Sequence, residues 1–260
     1  CPELLWWFHF TYGGDGALQF DSKGVEYVRA RCLRQGSTLA SLFFAFAAKK
    51  AYDRVIARHA ARNPSHGVGA VSYVDDLTAL GDLEISLRED EMRKLEADLD
   101  SAGLKIQMRK MVALTHARVG SPRYLRLRAL ADARGLRLET EGVKVVGAPV
   151  GTNAGVRAQV RASVDAWKDD LNLLDQFGEK QVRLALLRHC LGAPQAQYQA
   201  SIVGEGECDD EYEALDRAVD DRVLELLDWD APTEDERWRV AEVRRLPTEL
   251  GGFGIRSVLS

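Results

Sequence analysis

Histidine and cysteine are sparse in this chain, with five and four among 260 residues. Cys1, Cys32, Cys190 and Cys208 are scattered and form neither a Cys-x-x-Cys pair nor a disulfide-rich pattern, so a reduced, intracellular protein is expected. The apolar stretch 39–48 is far short of a bilayer span and is closed by Lys49 and Lys50. No signal peptide is recognisable, and no membrane partner is expected. Internal repeats and low-complexity segments are not evident. The Gly-x-Pro-x-Gly spacing of Gly147, Pro149 and Gly151 lacks the Lys-Ser/Thr of a Walker phosphate loop.

What is present suffices for a sizeable core: 46% of the residues are hydrophobic. The formal net charge of -5 hides an asymmetry. Residues 105–137 carry nine Lys or Arg against Asp132, whereas residues 205–236 carry fifteen acids against Arg217 and Arg222. The first stretch can face a polyanion; the second cannot.

Two adjacent carboxylates, Asp75 and Asp76, separate the apolar runs 69–73 and 77–80. The pattern predicts a β-hairpin with the pair at or beside its turn. In water such a pair is an ordinary hairpin tip. In a groove, two like charges need a cation, and Mg²⁺ (or Mn²⁺) suits hard oxygen ligands. Before the hairpin, residues 2–12 read as a short aromatic helix with His9 in its packing. Residues 17–20 and 25–28 read as a hairpin, and 39–60 as a helix apolar enough at its start to be central. Gly36 gives backbone freedom ahead of that helix, and Ser37 or Thr38 can cap it.

After the hairpin, Ser86-Leu87-Arg88-Glu89 reads as a capping box for a helix striped by Met92, Leu95, Leu99 and Ala102 and ended by Gly103. Residues 104–107 and 111–114 read as short strands flanking Arg109 and Lys110. Residues 143–151 read as a strand or hairpin ended by Pro and Gly. Beyond residue 152 helical spacing takes over: Val156, Val160, Val164 and Trp167, then helices over 179–190 and 209–227. The expected fold is α+β to residue 152 and all-helical over 153–260.

The order of these features resembles the reverse transcriptase family, in particular the type carried by retrotransposons without long terminal repeats. Tyr73-Val74-Asp75-Asp76 matches the family's Tyr-x-Asp-Asp, and Arg34-Gln35-Gly36 followed by Ser37-Thr38-Leu39 looks like its Arg-Gln-Gly-x-Pro-Leu. Gly103-Leu104-Lys105 through Lys110 is similar to the segment ending in the family's lysine. Val145 to Gly151 and Leu250-Gly251-Gly252-Phe253-Gly254-Ile255-Arg256-Ser257 are similar to two further family runs.

The resemblance implies a right-hand polymerase palm with partial fingers and a Tyr-Val-Asp-Asp hairpin over 1–152, then a helical thumb-like region over 153–260. It implies RNA-directed DNA polymerase chemistry: template-directed nucleotidyl transfer by two metal ions, on an RNA template and DNA primer, from deoxynucleoside triphosphates. Asp75 and Asp76 would hold the metal, and Lys110 would sit near the departing phosphate. Arg34, Gln35, Gly36 and Tyr73 would shape the nucleotide and template pocket. The sequence departs from the family in three places. Ser37-Thr38 replaces the usual Asp- or Cys-Pro, and Gln107 the usual Asn. The family's further metal-binding Asp lies upstream of the region matching residues 2–12 and has no counterpart here. The expectation is a truncated or decaying copy that does not polymerise by itself. A non-catalytic nucleic-acid-binding remnant and a structural or interaction remnant are the alternatives, and a single-metal phosphohydrolase lacks the needed histidines and clustered acids.

Overall fold

The computed structural model describes residues 17–18, 28–29, 40–62, 69–73, 76–229 and 233–259, with the backbone alone described at 17–18, 28–29, 40–43 and 62. Eight short strands and nine α-helices occur among these residues. They divide into two compact units, Cys1–Gln107 and Met108–Ser260.

In the first unit, β1 (Ala17–Leu18) pairs antiparallel with β2 (Val28–Arg29), as expected of a hairpin there. The expected helix over 2–12 and the segment 34–38 lie outside the described residues. Helix α1 (Ala40–Arg62) follows the predicted span. It is not a central helix along its length: Phe46 is 68% exposed, and the buried face is Ala48, Ala51, Tyr52, Val55 and His59. Those positions repeat at three and four residues and bury one stripe, as in a helix on one side of a core.

Strands β3 (Ala70–Tyr73) and β4 (Asp76–Ala79) pair antiparallel, with Leu80 N donating to Gly69 O at 2.8 Å. Gly69 lies so close to the His59 backbone of α1 that a Cβ would collide with it. The short helix α2 (Leu83–Ser86) is capped by Asp82, whose carboxylate accepts from Glu84 N at 2.9 Å. Ser86 therefore belongs to α2, and α3 (Glu89–Asp100) starts after Arg88 with no side-chain cap. The expected Ser86–Glu89 capping box is not formed, because Asp82, four residues before Ser86, already caps a helical turn that contains Ser86. The stripe does pack: Met92 and Leu99 are buried, and Leu99, Leu95 and Ala102 join Ala48, Ala51, Tyr52 and Leu77 in one cluster. Its partner is thus chiefly α1, with β4 contributing Leu77. Gly103, at φ 74, ends α3 as expected, and Leu104 N returns to Leu99 O at 3.0 Å.

The second unit opens with a 3₁₀ turn, Met108–Lys110. The expected strand over 104–107 is not formed, although the strand after it is. Strand β5 (Val112–Leu114) pairs parallel with β6 (Arg137–Glu139). A parallel pair needs a crossover, and α4 (Pro122–Asp132) supplies it, starting with a Ser121 cap and Pro122 in its first turn. Leu127 and Ala131 bury one side of α4 while Arg123, Arg126 and Arg128 remain exposed.

Strands β7 (Gly142–Val145) and β8 (Ala148–Gly151) form a hairpin around Val146 and Gly147, at φ 51 and 82. Two positive φ values suit the right-handed strand twist, but Val146 is a β-branched residue in a glycine conformation. Tyr198 Oη donates to Val146 O at 2.8 Å and its ring lies against Gly147. At the other end, Glu141 and Gly142 pass so close to Gly151 and Gly155 that a Cβ on either glycine would strike the Glu141 carbonyl.

Thr152 caps α5 (Asn153–Asn172) by accepting from Gly155 N at 3.1 Å. Then follow α6 (Lys180–His189), α7 (Ala193–Ala200), α8 (Asp209–Leu226) and α9 (Glu234–Arg245). The expected stripe lies in their common core: Val160, Val164, Leu171 and Leu174 pack with Leu187, Leu215, Val219, Val223 and Ile255. The last strand among the described residues ends at Gly151, and helices follow it. The compact units part at Gln107 and Met108 rather than near residue 152, because β7 and β8 pack on α5 and join the helices.

Candidate functional site

In the hairpin register Tyr73 pairs with Asp76, Ser72 with Leu77, Val71 with Thr78 and Ala70 with Ala79. Directly opposed residues share a face. Ala70 and Leu77 face the helices, so Tyr73 and Asp76 point the other way. Tyr73 is 62% exposed and Asp76 is also exposed. The local cause is the alternation of the strands: placing Leu77 in the α1–α3 cluster puts its neighbour Asp76 in water.

Val74 and Asp75, the two residues between Tyr73 and Asp76, lie outside the described residues, as do Arg34, Gln35 and Gly36. Lys110 belongs to the second unit, exposed at the end of its opening 3₁₀ turn. Of the residues expected to act together, the described structure thus brings together Tyr73 and Asp76. Asp76 offers a hard oxygen donor with room for water and phosphate oxygens around a divalent ion. Among the described residues no group of three or more His, Cys, Asp or Glu is placed to hold a metal. By itself Asp76 is one carboxylate, short of the donor set that Mg²⁺ or Mn²⁺ needs.

Of the basic stretch, Arg109, Lys110 and Arg118 are exposed and make no ion pair among the described residues. On α4 and β6, Arg128 pairs with Asp132 at 3.0 Å and Arg137 with Glu139 at 2.8 Å. Hydrogen bonding and attraction to Asp132 raise the Arg128 guanidinium above its usual value. These two cations hold their own acids, which leaves less charge for a polyanion than the sequence count suggests.

A charged centre that the residue pattern alone did not reveal lies on α8. Arg244, fully buried on α9, donates from Nη2 to Asp216 at 3.2 Å and from Nη1 to Arg256 O at 3.0 Å, and its Nε contacts Asp220. Asp216 also accepts from Ser257 Oγ and from Val258 N at 3.2 Å. One turn and more away on α8, buried Glu211 accepts from Arg161 at 3.0 Å. The available signal was phase: Asp216 and Asp220 share the helical face of Tyr212, Leu215, Val219 and Val223. A count of acids conceals that face. Near the start of α8, a cavity of about 420 Å³ is lined by Asn153, Arg157, Glu207 and Cys208. Burial pushes the Cys208 thiol up from its usual value.

No helix among the described residues is long and apolar enough to cross a membrane. No family model, curated protein or solved structure matches this chain.

Proposed function

We propose that this chain is a polypeptide of the reverse transcriptase type, derived from a retroelement, with the palm over 1–152 and the thumb-like helices over 153–260. The observation that carries the reading is the pairing of Tyr73 with Asp76 on one exposed face of an antiparallel hairpin whose sequence is Tyr-Val-Asp-Asp. Asp75 and Asp76 would contribute to holding Mg²⁺ or Mn²⁺, which supplies Lewis-acid stabilisation of phosphate charge when bound. Tyr73, beside Asp76, offers an aromatic face to a nucleotide. Arg34, Gln35 and Gly36 contribute to the nucleotide and template pocket. Lys110, with Arg109 and Arg118, meets phosphates of a DNA primer on an RNA template.

The activity proposed for these residues is binding of primer–template, with the hairpin carboxylates toward the ion. Fluorescence anisotropy of a labelled RNA–DNA primer–template tests this. Binding should weaken with salt, and Arg109→Glu with Lys110→Glu should lower the salt slope by about one for each phosphate no longer neutralised. Dependence of deoxynucleoside triphosphate binding on Mn²⁺, lost in Asp75→Asn and Asp76→Asn, is the expected signature of the hairpin. Absence of RNA–DNA binding at low salt overturns the proposal. A second reading, nucleic-acid binding without nucleotide binding, draws on the exposed cations Arg109, Lys110 and Arg118, unpaired among the described residues. Binding of RNA unchanged in both aspartate variants, with no metal-dependent nucleotide binding, favours it.

A further inference from the structure

Helix α9 rests on α8 by one side and leaves the other in solvent. Val240 and Arg244 are buried, and Arg237 pairs with Asp221 of α8. On the outward side Trp238 is 66% exposed, and Val243 and Leu246 are exposed with it. Leu250, in the 3₁₀ turn Thr248–Leu250 that follows, is 69% exposed. Single exposed apolar side chains are ordinary, whereas a tryptophan followed by aliphatic side chains at one helix end has the make-up of a contact surface. At helical spacing, positions 235, 238, 239, 242 and 246 share this outward face, and Val243 flanks it. We propose that α9 is a self-association surface, on which a second copy of this chain docks with its own α9 antiparallel and Trp238 at the apolar centre.

The occupant follows from charge. The first turn of α9 is acidic and its last turn ends in Arg244 and Arg245. Asp235 and Arg239 are exposed and make no ion pair among the described residues, and Glu242 lies 3.7 Å from Arg245 of its own helix. Two copies of α9 laid antiparallel about a twofold axis level with Ala241 set Arg239 of one opposite Glu242 of the other. The same register sets Asp235 level with Arg245, and Trp238 level with Val243, of the second copy. Symmetry makes each contact twice. A parallel pairing would instead set Arg239 against Arg239 and Glu242 against Glu242. The face is therefore complementary to itself in one orientation. Burial of Trp238 supplies the affinity, and the charges at 239 and 242 select the orientation.

Sedimentation velocity of the full chain between about 1 and about 100 µM should show monomer giving way to dimer, the range suited to a small interface with few anchors. Trp238→Glu should weaken dimerisation by at least about 30-fold, as loss of an aromatic anchor does. Arg239→Glu and Glu242→Arg should each weaken it by about tenfold or more, because each places two like-charged contacts across the axis. An equimolar mixture of these two variants should recover the dimer, since each supplies the sign the other lacks, and so should the double variant. All three positions are exposed, so far-ultraviolet circular dichroism and urea midpoints should match the unaltered chain. A chain that stays monomeric to the top of the concentration range overturns the proposal and leaves the face to some other partner. A dimer untouched by Trp238→Glu overturns it too, because the contact then lies elsewhere. Failure of both the mixture and the double variant to recover the dimer overturns the antiparallel pairing and the proposal with it.

Discussion

Asp76 and Asp216 are both aspartates beside apolar positions, and the molecule uses them in opposite ways. Asp76 stands exposed on a two-stranded hairpin. Asp216 is buried and accepts from a guanidinium, a hydroxyl and a backbone amide. An exposed carboxylate costs little to keep and stays available to a ligand. A buried one is tolerable only when its partners are fixed, and it then fastens together the elements that supply them. The difference teaches which acids in this chain are open to chemistry and which are architecture.

The largest test of that contrast removes the shared cation. Arg244→Met should cost about 3–5 kcal/mol, because it strands the buried Asp216 carboxylate and the half-buried Asp220, as measured by urea unfolding of the second unit. Asp76→Asn should change stability by less than about 0.5 kcal/mol in the same assay, as for an exposed site. A large effect of Asp76→Asn would break the comparison. Leu215→Ala, which empties a fully buried position between the helices, should cost about 2–5 kcal/mol. It calibrates how much of the second unit's stability is packing rather than the Arg244 ion pairs.

Smaller effects sharpen the picture. Thr152→Ala should cost about 1 kcal/mol by removing the α5 cap. Val146→Gly should gain about 1 kcal/mol by relieving a side chain held in the left-handed region, visible as a higher melting temperature. Burial pushes the Tyr212 hydroxyl up to about 12, with Cys208 and Glu211 adding to the effect. Its folded value is raised, so its contribution is complete below about pH 10 and lost as pH rises toward about 12. Alkaline unfolding should steepen in that window and flatten in Tyr212→Phe.

Parts of this structure were legible because one pattern dominated. The run from Val160 to Leu174 needed only helical spacing, and the β3–β4 hairpin only two apolar runs about an acidic break. Helix α4 was hidden by its own charge: its many arginines drew the eye to their cations, while Ser121, Pro122, Leu127 and Ala131 spelled out a cap and a buried stripe. Residues 104–107 alternate like a strand, yet Leu104 and Ile106 join the cluster built on α1 and α3 without pairing. The buried role of Asp216 depends on Arg244, which lies 28 positions away. No local pattern announces such a partner. For the hairpin, the sequence indicated which residues stand together, and the register adds that Tyr73 and Asp76 share the outward face.

The glycines around the β7–β8 hairpin have a further consequence. Gly147 provides a positive φ at the turn, and Gly151 and Gly155 leave room for the Glu141 carbonyl. An alanine scan scored only by lost activity would mark Gly151 and Gly155 as strongly as any residue that touches a substrate. Their intolerance would be a record of where two backbones cross, and a genetic map of this protein would need a folding readout beside each loss to tell the crossing from the chemistry.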